Sequence, residues 1–540
     1  MLKLLGLALL SGLLLSAGFP TYGFPFFLFL GFVPLFFIDD LSIEIFKTKR
    51  KTKLLGFIYL AFFLWIVISV WWLNRAKHPD GSYAWEALLF VSFCYTLFMT
   101  LVFILYSWVK KNTGDYIGSF FFIALWISSE KFNLEWEFSF PWLNLGNAFA
   151  EYYKWIQWYE HTGTLGGTLW ILTINFVIYH GIKEYQKRKQ EKFIYRSLII
   201  SFFLISIPIS ISYYIYQSYQ EKGEKINVTI IQPAIDSYTE KYQKSTTEIL
   251  NDLLDLTHKN TTKETDFVVF PETAFTGIGY IFINDLTNDL SIIQIKKFLD
   301  NYPKTSVISG ISLNKKYNLT DEIPDSALEM NNEFYGFHNS AIQINQVDSI
   351  QYYHKSKLVP GVEIFPYIKY LKPLFGDIML NFGGTVVSLG TQKDRTPFVN
   401  SNNAAIVAPS ICYEAIYGEF TGKFFKNNAN VLFMMSNDSW WENSDGHRQL
   451  FHFSRLRAIE TRKSIVRSAN AGISAIINQR GDVVKSLGYE KKGAIQGEVR
   501  LNNEKTNYVL YGDYISRFSF FIAGILLAFA LSQNFLSKKR

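Results

Sequence analysis

At 540 residues, 49% apolar and 17% aromatic, the chain has room for more than one domain. Its net charge of +7 is modest, and the basic residues fall in clusters that mark topology and argue against nucleic-acid binding. Of two cysteines, Cys94 lies in an apolar run and Cys412 stands alone in a long polar block, so that block can hold no internal disulfide.

Apolar runs near Leu4–Phe19, Phe24–Ile38, Leu54–Leu73, Ala87–Val109, Ile117–Ser129, Gly166–Ile182, Leu198–Tyr216 and Phe518–Leu536 approach the roughly 20 residues that cross a bilayer. They predict an α-helical membrane domain of about eight spans. Lys3, an apolar core and Ser16-Ala17-Gly18 match a cleavable signal peptide, but Phe19-Pro20 and the next apolar run favour retention. The clusters Lys47–Lys53, Lys110-Lys111, Lys183–Arg196 and Lys538–Arg540 then share one side, which the positive-inside rule makes the cytoplasm. The expected division is 1–216 membrane domain, 217–513 outside the cytoplasm, and 514–540 a last span with a basic tail. Glu130 reads as a marker of the membrane edge.

The polar block changes character. Asn227–Ile231, Asp266–Phe270, Thr305–Ser312, Ala404–Pro409 and Val431–Ser436 read as buried strands. Tyr242–His258, Ser291–Asn301, Ile416–Asn427 and Gly446–Thr461 read as helices, and Asp321–Glu333 as a polar loop. This alternation predicts an α/β domain. Arg455, Arg457 and Glu460 suggest a salt-bridged helix face. His447 has no second ligand at metal spacing, so no metal is expected.

Three polar residues follow strand-like runs: Glu272 after Phe270-Pro271, Lys355 after Tyr353-His354, and Cys412 after Ile411. Functional groups gather at the carboxyl ends of strands in α/β sheets, so the three can converge. A thiol attacks as thiolate and needs a base. Glu272 suits that task if burial beside Phe270 and Pro271 raises its pKa. Lys355 and the backbone N–H of Tyr413 suit an oxyanion. Each residue alone also has a bland reading, as core filler, surface carboxylate or solvated lysine, and Lys357 competes with Lys355.

Taken together, Phe-Pro-Glu-Thr-Ala at 270–274, Tyr-His-Lys-Ser-Lys-Leu-Val-Pro-Gly-Val-Glu at 353–363 and Cys-Tyr-Glu at 412–414 resemble the signature of the nitrilase, or carbon–nitrogen hydrolase, superfamily. The membrane frame, Gly18-Phe19-Pro20, Pro34-Leu35, Phe140–Gly146 and Ser436–Trp441 resemble its apolipoprotein N-acyltransferase family. The resemblance implies a nitrilase-like α-β-β-α sandwich joined to the membrane domain, in a bacterial inner membrane with the catalytic domain on the periplasmic side. It implies Glu272 as base, Lys355 as oxyanion stabiliser and Cys412 as nucleophile. Glu363, Tyr413, Glu414, Tyr242, Asn437 and Trp440 stand as supporting residues, with no cofactor. The implied partners are a phospholipid acyl donor and the N-terminal amine of a diacylglyceryl apolipoprotein. Two departures stand out: Pro-Gly-Val-Glu at 360–363 where the family commonly has Pro-Phe-Gly-Glu, and Tyr242 where an aromatic is usually Trp. The apolar stretch Ile364–Phe382 is expected to admit lipid tails. A membrane-tethered amidase and a non-catalytic scaffold are the rival readings.

Overall fold

The computed structural model describes the whole chain except 47–49, 79–80, 239, 275–279, 319, 374–387 and 540. Two compact units emerge. One comprises Met1–Leu73, Trp85–Ser218 and Tyr511–Arg540; the other comprises Asn74–Ala84 and Tyr219–Leu510.

The first unit is helical. Among the described residues six helices are long and apolar enough to cross a membrane: Pro25–Ile45, Thr52–Ser69, Trp85–Thr113, Thr164–Arg188, Lys192–Ser218 and Tyr514–Lys538. Two further predicted segments are also helical but stand apart from those six. Leu2–Ala17 is shorter, and Asp115–Glu135 carries Glu130 and Lys131. Aromatic side chains fill the interior: the Phe36 ring lies 4.2 Å from that of Phe176 and 5.3 Å from that of Phe122.

Three ionic residues of this unit make internal contacts. Lys110 is only 5% exposed, and its ammonium lies 3.0 Å from Asp39 and 2.6 Å from Asp40. Lys183 reaches Asp40 at 3.0 Å and Asp115 at 2.8 Å, so both lysines are paired. Glu130, read as a marker of the membrane edge, makes internal hydrogen bonds. It is buried, and it accepts from the Leu145 N–H at 2.8 Å and the Thr168 hydroxyl at 2.7 Å. An interior carboxylate needs such donors, and here they fix the Phe140–Gly146 segment.

The second unit holds two sheets among the described residues. The first runs β14-β1-β2-β4-β6-β5, with β3 (Ile281–Phe282) beside β4 and β7 (Gln351–His354) beside β6. Its members are β1 Lys225–Gln232, β2 Phe267–Val269, β4 Ser306–Tyr317, β5 Leu328–Met330, β6 Glu333–Ile344 and β14 Gly493–Arg500. The second runs β13-β12-β11-β10-β9-β8. It comprises β8 Phe398–Val399, β9 Ile406–Ile411, β10 Val431–Ser436, β11 Ile465–Ala469, β12 Ser474–Ile477 and β13 Val483–Leu487. The central strands of each, β1-β2-β4 and β9-β10-β11, are parallel. They are buried on both faces, which is why their sequences are nearly continuous apolar runs.

The sheets face one another, with Phe267 set edge-on to Phe433 at 5.1 Å. Helices Thr246–Asn260 and Leu290–Leu299 bury Ile249, Leu253, Ile292 and Ile295 against the first sheet. Helices Gly418–Lys426 and Asp445–Thr461 accompany the second, completing the α-β-β-α layering.

Local chemistry shifts some predicted boundaries. The helix expected over Tyr242–His258 is interrupted, because Ser245 caps Thr246–Asn260 in a reciprocal box with Glu248. The expected loop Asp321–Glu333 contains β5, joined to β6 through Asn331 and Asn332 at φ 54° and 62°. Two consecutive left-handed residues suit a tight hairpin, and asparagine tolerates that region.

Candidate active site

Glu272, Lys355 and Cys412 all stand just beyond strand ends. After β2 the chain crosses β4 at Gly310, whose N–H donates to the Pro271 carbonyl at 3.1 Å. A Cβ on Gly310 would lie 2.5 Å from the Glu272 Cα, so only glycine permits this approach. Thr273 then takes φ 46°. At the end of β9, Cys412 takes φ 48°, a left-handed turn for a residue with a side chain. Such a conformation costs roughly 1–3 kcal/mol and lifts a side chain off the sheet edge. Lys355 follows β7, its N–H donating to the Asn339 carbonyl at 2.8 Å.

The side chains meet. Glu272 Oε1 accepts from Asn339 Nδ2 at 2.7 Å and lies 3.2 Å from Lys355 Nζ. Glu272 Oε2 accepts from the Asn437 N–H at 3.0 Å. The sequence suggested an apolar setting for this carboxylate; it meets three donors instead. Glu363 Oε1 lies 2.8 Å from Lys355 Nζ and accepts from Asn339 Nδ2 at 3.0 Å, while its Oε2 accepts from the Val359 N–H at 2.9 Å. The departure at Pro-Gly-Val-Glu is accommodated by Gly361, at φ 79°.

Burial opposes the charge on Lys355, but the carboxylates of Glu272 and Glu363 outweigh it and hold its pKa above the ordinary lysine value. Burial pushes the Cys412 thiol up, and the Glu272 charge adds to that, with Lys355 pulling the other way. The resting pair is therefore a neutral thiol beside a charged lysine. The thiol ionises only if its proton has somewhere to go.

The supporting residues divide. Glu414 faces away from the trio's charges: it accepts from the Tyr353 hydroxyl at 2.7 Å, the Ser356 N–H at 2.7 Å and the Ile411 N–H at 2.8 Å. Burial raises its pKa, and these donors work against that rise. It ties the Cys412 turn to the Lys355 strand. Tyr413 is buried next to Cys412 in the chain, 5.4 Å from the Tyr417 ring. Asn437 touches Glu272 through its backbone, and its side chain is held by Ser237, Ser439 and Asn470. Trp440 is half-buried, edge-on to Tyr238 at 5.2 Å, and its carbonyl accepts from the Tyr238 hydroxyl at 2.9 Å. Tyr242 lies in the short helix Glu240–Gln243, its side chain outside the described residues. Of Ile364–Phe382, 374–382 lie outside the described residues; Phe365 is buried, while Tyr367 and Tyr370 are exposed.

Sequence reasoning missed Asn339 and Gly310. The signal for Asn339 was a polar His-Asn-Ser run, 338–340, inside an otherwise apolar strand. The salt bridge expected on the Arg455–Glu460 helix face forms between Arg457 and Glu460. They pair at 2.8 Å but are buried, and Arg457 donates to the Ala415 and Ile416 carbonyls, bracing the turn that begins at Cys412.

A segment from Asn74–Ala84 joins the same neighbourhood. Lys77 Nζ lies 2.7 Å from Glu442, and the Lys77 N–H donates to the Tyr238 hydroxyl at 2.9 Å.

Residues 227–506 match the carbon–nitrogen hydrolase family model, and residues 11–177 match the apolipoprotein N-acyltransferase N-terminal domain. The chain therefore belongs to the carbon–nitrogen hydrolase family, in its apolipoprotein N-acyltransferase branch. It is 23% identical to apolipoprotein N-acyltransferase of Chlorobaculum tepidum, over 96% of this chain and 95% of that one. It is 24% identical to the protein of that name from Geobacter metallireducens, over 94% and 91%. Among solved structures it is similar to Saccharomyces cerevisiae Nit3, at 14% identity, covering 51% of this chain and 90% of that one with a TM-score of 0.36. It is likewise similar to an amidase from Nesterenkonia sp., at 11% identity, covering 55% and 97% with a TM-score of 0.37.

Proposed function

We propose that the protein moves an acyl chain from a membrane phospholipid to the α-amino group of an N-terminal diacylglyceryl-cysteine on an apolipoprotein. The observation that carries this is the end-to-end similarity to apolipoprotein N-acyltransferases in a chain that retains Glu272, Lys355 and Cys412, with Lys355 Nζ 3.2 Å from Glu272 and both charges acting on the Cys412 thiol.

Glu272 takes the thiol proton as Cys412 Sγ attacks the ester carbonyl of the lipid. Lys355 Nζ and the Tyr413 N–H receive the oxyanion. Collapse breaks the ester C–O bond, Glu272 returns the proton to the departing lysophospholipid alcohol, and a thioester remains on Cys412. The acceptor amine then attacks the thioester while Glu272 takes its proton. The C–S bond breaks, the sulfur is reprotonated, and an amide results. A neutral resting thiol suits this sequence, because it stays unreactive until lipid fills the site.

The protein sits in a bacterial inner membrane with eight spans, the six long apolar helices together with Leu2–Ala17 and Asp115–Glu135, and the shared side of the basic clusters supports a periplasmic place for 217–513.

Incubation of purified protein with phospholipid labelled in its acyl chain tests the reading. A hydroxylamine-sensitive adduct is expected on Cys412, absent in Cys412→Ala and kept in Cys94→Ala. An adduct that persists in Cys412→Ala overturns the mechanism, and hydrolysis of small amides without any lipid adduct favours a tethered amidase.

A further inference from the structure

The two oxygens of Glu272 are not equivalent for carrying a proton. Oε1 already accepts from Asn339 Nδ2 at 2.7 Å and lies 3.2 Å from the Lys355 ammonium. A carboxylate oxygen offers two lone pairs, so these two donors fill it. Among the described residues Oε2 accepts only from the Asn437 N–H, at 3.0 Å. One lone pair is left on Oε2, and an incoming proton can settle there without displacing a donor.

The Asn437 N–H belongs to a loop, yet a base must be held to within roughly 0.5 Å of its productive position. A clasp supplies that precision. Asn470, the first residue beyond β11, bonds both to the turn after β1 and to the end of β10. Its N–H donates to the Ser436 carbonyl at 2.9 Å, and its carbonyl accepts from the Ala234 N–H at 2.9 Å. Its side chain accepts from the Ile235 N–H at 3.1 Å and donates to the Ile235 carbonyl at 2.6 Å and to Asn437 Oδ1 at 3.1 Å.

Ser237, from the same turn, accepts from Asn437 Nδ2 at 2.8 Å, and Ser439 donates to Asn437 Oδ1 at 2.8 Å. The next residue along, Asp438, is pinned by Arg467 at 2.8 Å. Ala234 takes φ 55°, a left-handed conformation costly for alanine, and its N–H is bonded to Asn470. Ser237, Asn437 and Asn470 are all buried, so these bonds do not compete with water. The whole clasp converges on one peptide, the one whose N–H meets Glu272.

We propose that Asn470 is a positioning residue for proton transfer: by clasping the Asn437 side chain it aims the Asn437 N–H at Glu272 Oε2, the oxygen that carries the proton. This rests on the reading of Glu272 as base. In the first half-reaction the S–H bond of Cys412 breaks, its proton goes to Oε2, and Oε2 returns it to the departing alcohol. In the second, Oε2 takes a proton from the attacking amine and returns it to the sulfur as the C–S bond breaks. The Asn437 N–H stays on the other lone pair of Oε2 throughout, so the carboxyl group keeps its direction between the two half-reactions. Asn470 itself exchanges no proton.

The test is a double-mutant cycle on the full chain in detergent, read by single-turnover acylation from phospholipid labelled in its acyl chain. Asn470→Ala is expected to slow acylation about tenfold at saturating lipid, with the half-saturating lipid concentration unchanged. In a Glu272→Gln background, which has no base to aim, Asn470→Ala is expected to cost nothing further. Ser237→Ala removes one hold on Asn437 and is expected to lose about threefold, with the same dependence on Glu272. A parent-like rate in Asn470→Ala, or an equal loss in both backgrounds, overturns the proposal; equal loss is the pattern of a purely structural residue. Should Asn470→Ala fail to fold, Ser237→Ala must be slow beside Glu272 and neutral in the Glu272→Gln background, and any other result overturns it. Should Glu272→Gln acylate too slowly to time, the cycle is read from Cys412 alkylation by iodoacetamide in Cys94→Ala proteins, with the same pattern expected. If Glu272→Gln acylates as fast as the parent, the reading of Glu272 as base fails first. If Glu272→Gln is slow and Asn470→Ala is not, Asn470 alone is wrongly assigned.

Discussion

Asn339 Nδ2 donates to Glu272 Oε1 at 2.7 Å, and its backbone carbonyl accepts from the Lys355 N–H. One residue thus fixes both the carboxylate and the strand that carries the ammonium, and its second amide bond reaches Glu363. Asn339→Ala is expected to leave two buried carboxylates short of a donor, a loss of about 1–3 kcal/mol or roughly ten- to a hundredfold in acylation rate. Asn339→Asp places a third carboxylate between them and is expected to be worse in both rate and stability. Single-turnover acylation with parallel thermal melting checks both, and an Asn339→Asp protein as active as Asn339→Ala would contradict the account.

Lys355 and Lys357 are separated by the structure. Lys355 lies between Glu272 and Glu363, while Lys357 sits over the Tyr417 ring at 4.8 Å. Lys355→Ala is expected to lose roughly 3 kcal/mol of oxyanion stabilisation, about a hundredfold in acylation, and Lys357→Ala to be mild. The reverse order, measured in matched detergent, would show the wrong lysine has been chosen.

His338 and His354 stack at 4.1 Å on the strands that carry Asn339 and lead to Lys355. Burial lowers the His338 pKa from 6.5 to about 4 and that of His354 to about 3. Between about 4 and 6.5 the unfolded chain binds protons that the native state refuses. Stability should therefore fall as pH drops through that window, by up to about 1.4 kcal/mol per pH unit for each imidazole. Melting temperatures at pH 7.5 and 5 measure this. His354→Gln is expected to flatten the dependence, and equal slopes in variant and parent would rule the pair out as its source.

The topology is open to a direct check. A reporter joined after Lys189 should be cytoplasmic, and one inserted near Asn331 should not. A cytoplasmic signal at Asn331 would refute the eight-span arrangement.

The strands that bear the site were legible because a strand buried on both faces leaves an uninterrupted apolar run. Val431–Ser436 matches its predicted limits, and Glu272 and Cys412 each follow such a run, whereas Lys355 follows the short, partly exposed strand Gln351–His354. Asn339 was not legible, because its effect comes from antiparallel pairing that sets Ser340 opposite His354. The Arg457–Glu460 pair was legible from its i,i+3 spacing, but its burial was not, because that spacing is the same on a wet helix face as on a buried one.

Lys77 and Arg75 pair with Glu442, and Lys77 meets Tyr238, from a stretch that in sequence lies between two apolar helices. The catalytic unit is thus encoded in two separate pieces, Asn74–Ala84 and Tyr219–Leu510. A fragment beginning at Tyr219 would strip these cations from Glu442 and the Lys77 donor from Tyr238, whose hydroxyl holds the Trp440 carbonyl. Recombination that exchanges catalytic units between relatives would have to carry both pieces together, because a single crossover before Tyr219 would pair each half with a stranger.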